Sequence, residues 1–171
     1  MEVSGRSRRL VVCGTAVSFL AASLIVQAAD AIVRRHVGDF PIASSVLVPA
    51  GTEIVFLSGT LADVVKPEAP EGSIERYGDT ATQTASVLGK LSKELAASGL
   101  TFADVVKMNV FLVGDPEKGG KMDFAGLMEA YSRHFGAATL GKLPARTTVQ
   151  VAGLPLPGAL VEIEVIAARA R

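Results

Sequence analysis

The sequence predicts an α+β domain in which two helices pack on one face of a mixed six-stranded sheet. Three observations lead there. The apolar pattern passes from short Val-rich runs to helical spacing and back, giving the order three strands, helix, strand, helix, two strands. Gly, Pro and Asp punctuate the joints between these runs. The 171 residues hold no internal repeat and suit one domain with a real core.

Each element has its own signal. Ile32 to Val37 and Ser44 to Val48 are Val-rich runs separated by Gly38, Asp39 and Pro41, as expected of two strands. Glu53 to Leu57 is a third strand, set off by Ala50-Gly51-Thr52 and closed by Ser58-Gly59. The stretch to about Gly72, with Pro67, Pro70 and two glutamates, reads as a surface loop. Asp79 or Thr80 caps the next helix, where Thr84, Leu88, Leu91 and Leu95 recur at helical spacing until Gly99 stops it. Thr101 with Asp104 spells a capping box for a single turn, and Val105 to Val113 follows as a buried strand. Asp115 to Lys121 is a turn rich in Gly, Pro and charge. Asp123 to Phe135 is the second helix, with Phe124, Leu127, Met128, Tyr131 and Phe135 on one stripe, the pattern of a core face. Arg146 to Val151 and Leu160 to Ala168 are the last strands, joined through Gly153-Leu154-Pro155-Leu156-Pro157-Gly158.

Residues 1–28 read as a signal peptide. Arg6, Arg8 and Arg9 form a basic start, Leu10 to Val26 is apolar or small, and Val26-Gln27-Ala28 suits signal peptidase. The apolar run of about 17 residues also reaches the lower edge of a spanning helix, so an uncleaved N-terminal membrane anchor is the alternative. Cleavage after Ala28 leaves a single domain over residues 29–171, with a net charge of about −2 and without Cys13, the one cysteine. Such a chain forms no disulfide and no thiolate metal site, and suits the periplasm or the cell exterior.

Composition and missing motifs exclude several function classes. Lys+Arg and Asp+Glu both total 17, aromatics are 5% and Trp is absent, so nothing favours nucleic acid. There is no phosphate-binding Gly-rich loop, no nucleophile elbow and no dinucleotide fingerprint. His36 and His134 stand alone in sequence, so neither a metal nor a cofactor is expected. What remains is the C-terminal pair of strands. Arg146, Thr148 and Gln150 share one face, and Glu162 and Glu164 share another, with the apolar faces assigned to the core. The polar faces read either as a solvated sheet edge or as a site, where an arginine fork grips a carboxylate and a carboxylate handles water.

Leu143-Pro-Ala-Arg-Thr-Thr-Val-Gln-Val-Ala-Gly-Leu-Pro followed by Val161-Glu-Ile-Glu-Val-Ile-Ala resembles the C-terminal signature of the Rid family. These are the YjgF-like reactive-intermediate deaminases, also labelled L-PSP endoribonucleases. Phe56-Leu-Ser-Gly, the helix Thr82 to Leu95, the run Gly99 to Leu112 and Phe124 to Phe135 agree in order, so the resemblance spans nearly all of residues 32–168. It implies a chorismate-mutase-like fold, a homotrimer with clefts between subunits, and hydrolysis of enamines and imines to a 2-keto acid and ammonia. By the same resemblance Arg146 falls on the arginine that grips the substrate carboxylate, and Glu162 on the glutamate that orients water. Ser58 and Gly59 fall where backbone lines the pocket, and Phe124 on an apolar wall. Met128 stands where an asparagine is common, and Thr148 where a cysteine is common. Phe40-Pro-Ile-Ala-Ser-Ser replaces a segment that usually carries a tyrosine, and the loops 62–72 and 114–121 are longer than the family pattern. These departures imply a changed substrate.

If the last two strands form a hairpin centred near Leu156 and Pro157, Arg146 faces about Ala167 and Glu162 about Val151. The two groups then stand about 15 Å apart. Either these strands are not neighbours, or a second subunit completes the site; the resemblance to a trimeric family favours the second. The leading expectation is thus an exported, trimeric imine hydrolase with no nucleic-acid partner and no membrane contact once the leader is removed. The alternatives are a small-carboxylate binding or sensing module and, following the older family label, a ribonuclease or translation inhibitor.

Overall fold

The computed structural model describes residues 31–36, 38–136, 139 and 142–169. The segment read as a signal peptide or anchor, with its arginines and Cys13, lies outside them. Among the described residues no helix is long and apolar enough to cross a membrane. Strands β1 (Val33–His36), β2 (Ala43–Leu47) and β3 (Glu53–Leu61) precede helix α1 (Thr80–Ala97). They are followed by β4 (Val105–Val113), α2 (Phe124–Tyr131), β5 (Ala145–Val151) and β6 (Val161–Arg169). The sheet is six-stranded and mixed, in the order β1-β2-β5-β4-β6-β3.

Strand β4 organises the sheet. Its side chains alternate in burial, with Met108, Val110 and Leu112 wholly covered on the helix side and Lys107, Asn109, Phe111 and Val113 half-buried on the other. It pairs in parallel with β5 and antiparallel with β6. Helix α1 lies over β3 and β6 and packs against α2. Its Val87, Leu88, Leu91 and Leu95 have no exposed surface, each contributing roughly 2 kcal/mol of burial free energy.

Local chemistry sets the helix ends. The Asp79 side chain accepts from the Thr82 amide at 2.8 Å at the start of α1. At its end, Leu100 N donates to Leu95 O and Gly99 N to Ala96 O, with Gly99 at φ 68°, a left-handed stop that suits glycine. The Thr101–Asp104 capping box forms as the sequence predicts. Helix α2 is capped by Asp123 and is shorter than the expected Asp123–Phe135, because the chain tightens after Tyr131. The Ser132 hydroxyl bonds back to Met128 O, while Phe135 still buries its ring against Tyr131 at 4.7 Å.

Three expectations need correction. The last two strands are not a hairpin, because β4 lies between them. Helix α2 connects β4 to β5 as a parallel crossover, and β6 takes the free side of β4. The faces of β5 are the reverse of those assigned: Arg146 lies beside Met108 and Thr148 beside Val110, on the helix side, while Val149 is 40% exposed on the open side. The third concerns β3, which does not stop at Ser58-Gly59. It bulges there and continues, placing Thr60 beside Ile163 and Leu61 beside Glu162.

The β1–β2 hairpin joins the rest narrowly. Ala43 pairs with Ala145, and its amide donates to Pro144 O at 2.8 Å. The Arg34 guanidinium reinforces the joint, donating to Val105 O and Leu143 O at 2.7 Å each and to Ala103 O at 3.0 Å.

Gln83 has no exposed surface and ties α1 to the segment before β6. Its Nε2 donates to Gly78 O at 2.8 Å and Gly158 O at 3.2 Å, and its Oε1 accepts from Leu160 N at 2.8 Å. Gln83→Leu keeps the volume but strands these backbone groups. It should cost about 3 kcal/mol, measured by urea unfolding with an unchanged m-value; a loss within experimental error would contradict the role given to this side chain.

Candidate functional site

Arg146 is the second residue of β5, directed to the helix side and half-buried. Its guanidinium carbon lies 4.3 Å from the Tyr131 ring centroid, 5.6 Å from Phe40 and 5.7 Å from Phe124. Its Nη1 points at the Met128 thioether sulfur, 3.4 Å away. Phe124, Met128 and Tyr131 occur at i, i+4 and i+7, so one stripe of α2 supplies three of the four neighbours. The fourth comes from the β1–β2 turn, which is held against α2 by the Tyr131 hydroxyl donating to Pro41 O at 2.8 Å.

Among the described residues, the groups that meet this cation are the π faces of Phe40, Phe124 and Tyr131, the last with its phenol hydroxyl, and one soft, weak acceptor. Arg146 forms no ion pair with any described carboxylate. Burial pushes its pKa down, with Tyr131 opposing. A guanidinium stays charged regardless, so the desolvated charge is an attractor for an anion, above all a planar carboxylate that matches its fork. Thr148 shares this face two residues along β5. Its Oγ1 is buried and has no hydrogen-bond partner among the described residues.

Glu162 belongs to a different cluster. It lies on the open face of the sheet, paired with Phe111 of β4 and Leu61 of β3. Its carboxylate rests on the Ser58-Gly59 bulge, so that a Cβ on Gly59 would fall on Glu162 Oε1, well inside the 3.0 Å that real Cβ atoms keep. Glycine at 59 is what lets the carboxylate sit there. Nearby, Phe56, Ser58, Lys107, Asn109 and Glu164 border a shallow depression of ≈ 230 Å³. Asn109 Nδ2 donates to Glu164 Oε1 at 2.7 Å and Lys107 Nζ to Thr147 Oγ1 at 2.7 Å, which leaves Glu162 as the carboxylate over the bulge.

The seven residues singled out from sequence therefore fall into two groups. Arg146, Phe124, Met128 and Thr148 lie on or beside the helix-side face of β5, and Glu162, Ser58 and Gly59 gather on the open face. Arg146 is level with Met108 and Glu162 with Phe111, two strands apart and on opposite faces. Their Cα atoms are roughly 14 Å apart by strand spacing and rise. One chain does not bring both to a single small ligand. Phe40 and Tyr131 were missed as neighbours of Arg146. Phe40 entered the sequence reading only as a departure in a turn, and Tyr131 only as part of a core stripe, though its i+7 spacing from Phe124 was the available signal.

A family model described as Endoribonuclease L-PSP matches residues 42–169. Among curated proteins, the chain is 40% identical over 127 residues to Protein DfrA of Myxococcus xanthus, covering 74% of this chain and 84% of that protein. It is 36% identical over 151 residues to Reactive Intermediate Deaminase A, chloroplastic, of Arabidopsis thaliana, covering 85% and 71% respectively. Among solved structures, a conserved Rid-family protein, YyfB from Yersinia pestis, superposes with a TM-score of 0.56 at 27% identity, covering 76% of this chain and 88% of that one. E. coli TdcF, solved with bound serine, gives 0.52 at 34% identity, covering 71% and 84%.

Two measurements test this geometry. Gly59→Ala should drive the Glu162 carboxylate off the bulge, visible in a crystal structure. Because the clash is with the far end of a flexible side chain, stability should change by less than about 1 kcal/mol; an unmoved carboxylate would refute the contact. The second concerns Tyr131, whose hydroxyl is pushed up to about 12 by burial, against the Arg146 charge. Its raised folded pKa makes this stabilisation complete below the ordinary value of 10.0 and lost as pH rises through about 12. Unfolding free energy should fall across that window, and fall less steeply in Tyr131→Phe, which has no phenolic proton to lose.

Proposed function

The chain belongs to the Rid family, whose model carries the description Endoribonuclease L-PSP, and from that premise we propose that it hydrolyses small 2-imino acids and their enamine tautomers to 2-oxo acids and ammonia. The observation that carries this reading is the Arg146 guanidinium, desolvated among three aromatic rings and a thioether with no described carboxylate to neutralise it. A substrate carboxylate supplies that missing charge and fixes the neighbouring imine carbon in place.

The chemistry asks little more of the protein. An imine carbon beside a carboxylate is already electrophilic, so orientation and delivery of water account for most of the catalysis required. In the proposed reaction Glu162 takes a proton as water adds to that carbon. Glu162 returns that proton to the imine nitrogen to give the carbinolamine, then carries the hydroxyl proton to the amino group, so that ammonia leaves as the carbonyl forms. Because Arg146 and Glu162 are on opposite faces of the sheet, the proposed site pairs Arg146 of one chain with Glu162 of another in a homotrimer. The open face around Glu162 supports that assembly. It presents Phe56 at 74%, Val149 at 40% and Ile54 at 39% exposure, an apolar surface suited to cover by a second copy.

A non-catalytic carboxylate-binding module is the second reading. Its support is the absence of any carboxylate or imidazole among the described neighbours of Arg146, where the one ionisable group is the Tyr131 phenol, held protonated by burial and bonded to Pro41 O. The discriminating assay generates imine with an amino-acid oxidase and times 2-oxo acid appearance. Arg146→Ala should lower kcat/KM about 100-fold, the worth of a charge-assisted pair. Arg146→Ala and Glu162→Gln chains should each be inactive yet regain activity when refolded together. Equal acceleration by wild type and Arg146→Ala would overturn the anchor, and ligand binding without any acceleration would favour the binding module.

A further inference from the structure

The surroundings of Arg146 say what kind of molecule the carboxylate belongs to. A carboxylate oxygen bonded to Nη1 lies about 2.9 Å from it, and Met128 Sδ is 3.4 Å from the same nitrogen. A carboxylate held by that nitrogen therefore has the thioether as a close neighbour. Beyond it stand the Phe40 and Phe124 rings, near-parallel at 10° with centroids 6.4 Å apart, both facing the guanidinium at almost equal distance. None of these three side chains donates or accepts a strong hydrogen bond. A hydroxyl, amide or charge placed there leaves water and finds no partner, whereas an aliphatic or aryl group is transferred from water onto apolar surface.

We infer that Met128, Phe40 and Phe124 select 2-imino and 2-oxo acids whose substituent is apolar and several carbons long, over those with a methyl or hydroxymethyl group. The inference rests on Arg146 being a carboxylate anchor and does not require turnover. Met128 is the specificity-determining position, because its sulfur lies 3.4 Å from the anchoring nitrogen. Phe40, 45% exposed on its turn, closes the outer side.

Stable 2-oxo acids separate this inference from the hydrolysis reading. Binding of 4-methyl-2-oxopentanoate and of pyruvate is measured by calorimetry on the full chain, for wild type, Met128→Asn, Met128→Leu and Phe40→Ser. Wild type should bind the branched acid at least ~10-fold more tightly, since each methylene in an apolar pocket carries a sizeable factor. Met128→Leu should keep that ratio, and Met128→Asn should lose most of it. If Met128→Asn does not fold, Phe40→Ser carries the same expectation at an exposed position. Equal affinities in wild type, or a ratio untouched by both polar substitutions, overturn the selectivity. Failure to bind either acid overturns it together with the anchor. Selective binding without imine hydrolysis leaves the selectivity standing and removes only the hydrolase reading.

Discussion

Strand β4 accepts two very different partners, and most of the molecule follows from that. On one side it carries β6, whose Val161, Ile163, Val165 and Ala167 are almost wholly buried. On the other it carries β5, whose helix-side residues are Arg146, Thr148 and Gln150. A strand with an entirely apolar face belongs under the long helix α1, where its burial is complete. A strand with an arginine and two polar residues on that face lies on the other side of β4, where side chains of the short helix α2 meet the arginine. The helix layer is therefore apolar over one half of the sheet and holds a buried cation over the other.

That division explains which features were legible in the sequence. Helix α1, its Asp79 cap and its Gly99 stop were legible because each depends on residues close in the chain. Strand β4 was legible for the same reason, its alternation filling nine residues. Sheet order was not. A Gly- and Pro-rich link between β5 and β6 looks like a hairpin turn, and nothing local announces that β4 will lie between them. The faces of β5 were misassigned by the same shortage. Apolar Val149 looked like core and polar Arg146 like surface, yet α2 brings aromatic rings to the arginine and leaves the valine on the open face.

Strand spacing brought Arg146, Thr148 and Glu162 forward as candidates, and the family resemblance supplied the other four and a role for each. The structure sorts them by face, a property that register alone determines. Phe124 and Met128 reach Arg146 because helical periodicity aligns them with Tyr131, while Ser58 and Gly59 reach Glu162 because β3 bulges. The replacement of polar neighbours by Met128 and Phe40 then acquires a physical meaning. It sets an apolar medium around the cation.

The packing of the Glu162 carboxylate on Gly59 creates a one-sided dependency. Glycine at 59 makes no demand of its own on the side chain at 162, whereas a carboxylate held in this position at 162 needs glycine at 59. A side chain gained at 59 while the glutamate is present displaces the carboxylate from the bulge. Once a side chain has been gained there, restoring the glutamate alone no longer restores the arrangement. For sequence divergence and for directed evolution, the bulge thus acts as a ratchet. Keeping the carboxylate on the bulge needs glutamate at 162 and glycine at 59 together, and a library that mixes the two positions independently fills most of its members with combinations that cannot hold it there.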